Sequence, residues 1–259
     1  MPDPKYPKYR LIADELHRQI ESGELAGGAQ LPTEIELMEQ HEASRNTVRD
    51  AIKLLSSRRE VEVRPGQGTF VVERINPIVT TLTEDPKTGR GGGEEGVYIA
   101  EVEAANRIPE NSEPRVEIQK VRGNLAAALR VEDETQVISR HQQRFIDGTP
   151  WSLQTSFYPM SLLAKGATRL IEATDIPEGT VTYLAENANS KQTGYRDTIA
   201  VRAPDATEVA FFKIPADGPV FEVFRVGFDQ DGNRFRLTVT VYPVDRNRFA
   251  VNVGAVPGG

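Results

Sequence analysis

A chain of 259 residues is too long for one average domain and long enough for two, each able to bury its own core. It has no cysteine and only three scattered histidines, which excludes a disulfide framework and cysteine-ligated zinc; no metal or other cofactor is expected. The formal net charge of −7 argues against broad affinity for nucleic acid, but Ser44–Arg74 carries seven basic against four acidic residues, so any anion-binding surface must be local. The N-terminal MPDPKYPKYR lacks an apolar stretch behind it, and no apolar run approaches the ~20 residues that span a bilayer. A soluble, cytoplasmic chain without a membrane partner is the expectation.

The first 75 residues read helix, helix, helix, hairpin. Tyr9, Ile12, Leu16 and Ile20 fall at helical spacing on one face, and Gly23 supplies a stop. Pro32-Thr33 opens a second helix, with Thr33 and Glu36 spaced as a capping box. A third begins at Ser44, a good N-cap, and places Val48, Ala51, Ile52 and Leu55 on one stripe. Two β-rich runs follow, Val61–Arg64 and Thr69–Val72, around the hairpin-tip composition Pro65-Gly66-Gln67-Gly68.

Residues 76–96, including EDPKTGRGGGEEG, read as a flexible linker because glycine and charge replace apolar residues. A phosphate-binding loop would need Lys-Ser/Thr after the glycines, which is missing. Residues 97–259 interleave strands and helices. The expected strands are Tyr98–Arg107, Gln136–Phe145, Trp151–Tyr158, Tyr195–Arg202, Val220–Phe228, Arg234–Tyr242 and Phe249–Val253, and the expected helices Leu125–Arg130, Ser161–Ile171, Thr180–Asn187 and Asp205–Ile214. Hairpin turns at Asp147-Gly148-Thr149-Pro150 and Asp231-Gly232-Asn233 make the sheet mainly antiparallel, so the class is α+β.

With Val48 at the centre of the buried stripe, Asn46, Arg49 and Lys53 fall on the opposite side of the third helix, and Arg45 lies beside them at its start. Arginine can pair with guanine and asparagine with adenine in a major groove. An ordinary solvated face would carry the same charges, and the helix alone does not separate the two readings.

Order and spacing add to this. YRLIADELHRQIESGEL (Tyr9–Leu25), QLPTEIEL (Gln30–Leu37), SRNTVRDAIKLL (Ser44–Leu55) and RPGQGTFV (Arg64–Val71) together resemble the GntR family of bacterial repressors, in its HutC-like branch. The resemblance implies a winged helix-turn-helix that binds double-stranded operator DNA, with Thr33, Glu34, Ser44, Arg45, Asn46, Thr47, Arg49, Lys53, Arg64, Gly66, Gln67 and Gly68 at or near the DNA. Three residues depart from the family pattern: Ile35 stands where arginine is usual, and Glu42 and Glu60 stand at turn positions where glycine is usual. By the resemblance, Ile35 leaves one common DNA contact absent and implies a different operator preference, while the two glutamates imply either altered turns or a left-handed non-glycine residue.

The segments VISRHQQRFIDGTPWSLQTSFYP (Val137–Pro159), YRDTIAVRAPDATEVAFFKI (Tyr195–Ile214) and Pro219–Phe249 resemble the UTRA effector domain, whose fold is shared with chorismate lyase. The resemblance implies an effector-binding and dimerising domain. Relatives that bind phosphorylated sugars use an arginine pair before the DGxP turn, an acid after it, and a second acid on a late strand. Alignment on the two turns puts Gln142 and Arg144 at the pair, Gln154 at the first acid and Arg236 at the second; Thr180 and Tyr183 match the anion-binding helix start. These six and Thr238, on the polar side of the alternating strand Arg234–Tyr242, are the candidate effector-binding residues. The exchanges raise the formal charge at the mapped positions and imply an anionic or acceptor-rich effector other than a standard phosphosugar. Trp151 reads as packing, and His17, His41 and His141 as structural or solvated.

The reading is therefore a homodimeric repressor released from DNA by a small molecule. Two alternatives are an effector-blind dimeric repressor and an enzyme of chorismate-lyase-like fold. No Ser/His/Asp set, paired carboxylates or metal cluster can be placed at defined spacing, so no catalytic residue is named.

Overall fold

A computed structural model describes residues 6–72, 75–83 and 95–253. The chain divides into two compact units, residues 1–75 and 76–259. In the first, α1 (Lys8–Glu21), α2 (Glu34–Gln40) and α3 (Arg45–Ser57) precede an antiparallel hairpin of β1 (Val61–Arg64) and β2 (Gly68–Val71). Ile12 and Leu16 of α1, Leu37 of α2 and Val48, Ala51 and Leu55 of α3 meet in one core. Both expected caps form. The Thr33 hydroxyl accepts from the Glu36 N–H while the Glu36 carboxylate accepts from the Thr33 N–H at 2.7 Å, and the Ser44 hydroxyl accepts from the Thr47 N–H.

Glu42 adopts the left-handed conformation (φ 46°). At the second departing position the left-handed residue is Arg59 (φ 57°) rather than Glu60, whose buried carboxylate lies 2.9 Å from His17 Nδ1. The strain sits one residue earlier, and Glu60 is a structural partner of α1.

The second unit is built on a sheet ordered β4-β6-β7-β10-β9-β8. Its strands are β4 (Pro109–Asn111), β6 (Gln136–Ile146), β7 (Thr149–Pro159), β8 (Gln192–Arg202), β9 (Val220–Asp229) and β10 (Arg234–Pro243), all paired antiparallel; β5 (Arg115–Lys120) also pairs with β6. One face, with Val137, Phe157, Leu237 and Val241, is covered by α5 (Gly123–Leu129) and α8 (Ala206–Phe212). The other, with Ile138 and Tyr158, packs against α6 (Ser161–Ala164), a 3-10 turn (Thr168–Ile171) and α7 (Thr180–Asn187).

Three expectations are corrected. The run Tyr98–Arg107, expected as a strand, lies largely in α4 (Glu95–Ala104): Tyr98 and Val102 are buried one helical turn apart, and left-handed Asn106 (φ 56°) ends it. Its Val, Tyr and Ile suggest a strand, but the alanines and glutamates around them favour a helix. The expected helix Ser161–Ile171 is broken at Gly166 (φ 111°), where a Cβ would collide with the Asn187 carbonyl. Part of the expected linker is structured: β3 (Ile78–Thr81) pairs in parallel with β11 (Asn247–Ala250), and Ile78 and Leu82 are buried. Four residues held by a partner far along the chain leave almost no local pattern. Residues 84–94, which hold the glycine-rich core of that linker, lie outside the described residues.

Candidate functional site

On the first unit, α3 turns its polar side out. Asn46, Arg49 and Lys53 are exposed opposite Val48, and Arg45 flanks them. The arginines are not loose: Glu34 of α2 accepts from Arg45 Nε at 2.7 Å, and its other oxygen lies 3.3 Å from Arg49 Nε. One carboxylate thus fixes two cations on the same surface. Ser44 and Thr47 join hydroxyls at 2.8 Å at the start of the helix, and Thr33 caps α2, so these three side chains have structural partners at the same edge. Lys53 lies 3.7 Å from Asp50.

In the hairpin, Arg64 stacks over Phe70, 4.5 Å from its ring centre. Gly66 and Gly68 have positive φ, and a Cβ on Gly68 would run into the Gln30 amide, which donates to the Gln67 carbonyl. Gln30 props the tip, a role that a polar residue in a loop does not advertise in sequence.

On the second unit, the face opposite α5 encloses a cavity of about 280 Å³. Antiparallel register builds its floor in two rows: Arg140, Ser156, Thr238 and Arg225 in one, and Gln142, Gln154, Thr240 and Val223 in the next. Arg236, Tyr158 and Tyr242 extend it. The start of α7, Glu178 to Thr182, and Thr80, Leu82 and Phe249 from the β3–β11 pair complete the lining.

Of the seven residues expected to bind an effector, Gln142, Gln154, Thr180, Arg236 and Thr238 line this cavity. Arg144 and Tyr183 do not. Arg144 shares the face of Gln142 but lies nearer the hairpin turn, where the helix read as a strand covers it; its guanidinium stacks 5.0 Å from the Tyr98 ring centre. Tyr183 packs in the core, and its hydroxyl accepts the Arg169 N–H at 3.0 Å. Arg140 shares the face of Gln142 as well and lies on its other side, away from the hairpin turn, so it is Arg140 and not Arg144 that lines the cavity.

The missed residues include Arg140, Ser156, Arg225 and Thr80. Arg140 donates to the carbonyls of Leu170, Glu172 and Thr174, holding the segment before α7. Arg225 makes a two-bond pair with Asp197, at 2.7 and 2.6 Å, and stacks on Tyr195. Arg236 donates to Gln192 at 3.0 Å. Glu178 is held by Arg169, and its carboxyl lies below the ordinary range because a backbone N–H and that guanidinium stabilise its charge. Gln142 Nε2 and Thr80 Oγ1 are buried and have no hydrogen-bond partner among the described residues. An orphaned buried polar atom is costly unless something fills the site.

Other candidates take structural places. Trp151 is fully buried, donates to Asn247 Oδ1 at 2.8 Å and lies under the Arg107 guanidinium. His141 is bonded to Thr155 Oγ1, and burial lowers its pKa.

A winged helix-turn-helix followed by a sheet domain with a polar cavity defines a ligand-responsive class of transcription regulator. Residues 8–71 match the bacterial regulatory proteins of the gntR family, and residues 109–248 match the UTRA domain. The chain belongs to the GntR family and carries a UTRA domain. It is 28% identical to an uncharacterized HTH-type transcriptional regulator of Streptomyces coelicolor, covering 92% of this chain and 90% of the relative. It is 24% identical to the HTH-type transcriptional repressor NagR of Bacillus subtilis, covering 94% and 93%. The crystal structure of PhnF from Mycobacterium smegmatis has the same fold, with a TM-score of 0.56, 24% identity and coverage of 95% and 100%.

Proposed function

We infer that the chain is a homodimeric repressor that holds its operator through α3 and the β1–β2 wing and releases it when a small, acceptor-rich ligand fills the cavity. The observation that carries the ligand reading is the pair of orphaned donors, the Gln142 amide and the Thr80 hydroxyl, buried in the same cavity as Arg236. All three can donate to an anion or a carbonyl-rich molecule, and a charge-assisted bond from arginine would orient it. The charge argument rests on Arg140, Arg225 and Arg236 in place of Arg144, with Asp197 offsetting Arg225.

Coupling has a short route. Thr80 and Leu82 belong to the first segment of the second unit, directly after the DNA-binding unit in the chain, so a ligand that touches them bears on the connection itself. Effector and operator need only prefer different positions of that segment. An effector-blind repressor would have no use for orphaned donors in a cavity. An enzyme would need a proton-transfer group, and Glu178 is tied to Arg169 with its carboxyl already depressed.

The test is a panel of small anionic and neutral metabolites screened by thermal shift and by release of operator DNA. A releasing ligand is expected to carry an anionic or strongly accepting group, and Arg236→Ala and Gln142→Leu should each weaken it about tenfold or more in calorimetry. A cationic or purely apolar ligand, bound equally by both variants, refutes the reading.

A further inference from the structure

Ile35 is the most exposed large apolar residue described in the first unit, at 68%, whereas Leu37 two positions on is fully buried. Two residues along a helix are about 200° apart, so Leu37 pointing into the core turns Ile35 outward. The capping box of Thr33 and Glu36 brackets Ile35 and fixes that first turn. Its neighbour Glu34 is the carboxylate that bridges Arg45 and Arg49. Ile35 thus stands on the same rigid first turn of α2 as the residue that ties this helix to the arginines of α3.

Of the nearby α2 side chains, Glu36 and Glu39 are exposed and polar, while Met38, one turn on, is half-buried against the core. A lone exposed apolar side chain is too small for a protein interface, which needs a contiguous patch. It matches one feature of the surface that α3 enters: in the major groove, thymine alone presents a methyl group.

We propose that Ile35 is a base-reading residue that recognises the 5-methyl group of a thymine in each operator half-site. It selects thymine over cytosine without a hydrogen bond, where Arg45 and Arg49 select by hydrogen bonding. The proposal rests on the α2–α3 face entering the groove, which Arg49→Ala tests separately.

The experiment uses full-length protein and an operator selected from a pool of random duplexes. Each thymine is replaced in turn by deoxyuridine, which removes only the methyl. Burial of one methyl group corresponds to about fourfold in affinity, so one substitution should weaken binding about fourfold and the pair in both half-sites about fifteenfold. Ile35→Ser should bind the thymine and deoxyuridine duplexes equally, and Ile35→Val should keep most of the discrimination. The proposal is overturned by a wild-type protein indifferent to deoxyuridine at every position, or by Ile35→Ser retaining full methyl sensitivity. It is equally overturned if Ile35→Ser turns a dimer into a monomer in sedimentation, which would make Ile35 a protein contact. Loss of affinity in Arg49→Ala with no deoxyuridine effect sinks this inference alone; unchanged affinity in both Arg45→Ala and Arg49→Ala removes the reading face as well.

Discussion

Glu34 sets the energetics of the proposed reading face. Its pairs with Arg45 and Arg49 are exposed, so each is worth no more than about 1 kcal/mol and can be exchanged for a base or phosphate at little cost. A two-bond arginine contact to guanine is worth about 1–3 kcal/mol, and the exchange favours DNA. Arg45→Ala and Arg49→Ala are expected to weaken operator binding by about that amount each while leaving the melting temperature unchanged, since both lie off the buried stripe. Titration of a mapped operator checks it; unchanged affinity in both variants would remove α3 as the reader. The outward position of these residues was legible because helical periodicity depends only on local sequence. Arg140 was not legible: strand alternation gives its face, but only the placement of α4 decides which end of that face stays open.

At the scale of elements, burial of α4 brings Glu101 against β3. One carboxylate oxygen accepts the Thr81 N–H, the other is buried without a partner among the described residues, and burial pushes the carboxyl pKa up. The native state therefore holds this proton more tightly than the unfolded chain. Stability from the site is full below the unfolded pKa and is lost as pH rises through the folded one. Glu101→Gln removes the charge and keeps an acceptor, so its melting temperature relative to wild type should be higher at pH 8 than at pH 5; an equal difference at both would contradict the assignment. Elements with a strong local signature, α1, α3 and the three hairpins, were readable in sequence. Those defined by distant partners, β3 and β4, or carrying β-forming side chains on a helix, as α4 does, were not, because tertiary contacts decide them.

For the whole molecule, the acidic balance of the chain limits what one DNA-binding unit can do. With a small local surplus of basic residues, a single copy neutralises few phosphates, and a second copy on a linked half-site multiplies affinity through effective concentration. Residues 1–75 alone should bind the operator at least a hundredfold more weakly than the full chain at matched salt, on the order of the gain expected from linkage. Comparable affinities would place dimerisation elsewhere or make it irrelevant. The full chain should protect two half-sites related by two-fold symmetry.

The parallel pairing of β3 with β11 also orders events during synthesis. The DNA-binding unit is complete once β2 has emerged at Val71, whereas β3 cannot complete its strand pairing until Ala250 has been made. At about 5–20 residues per second, that interval is on the order of 10–35 s. A nascent chain thus holds a finished reading head well before the strand beside its cavity has its pairing strand, and for that interval it carries a single, weakly binding head that no effector can instruct.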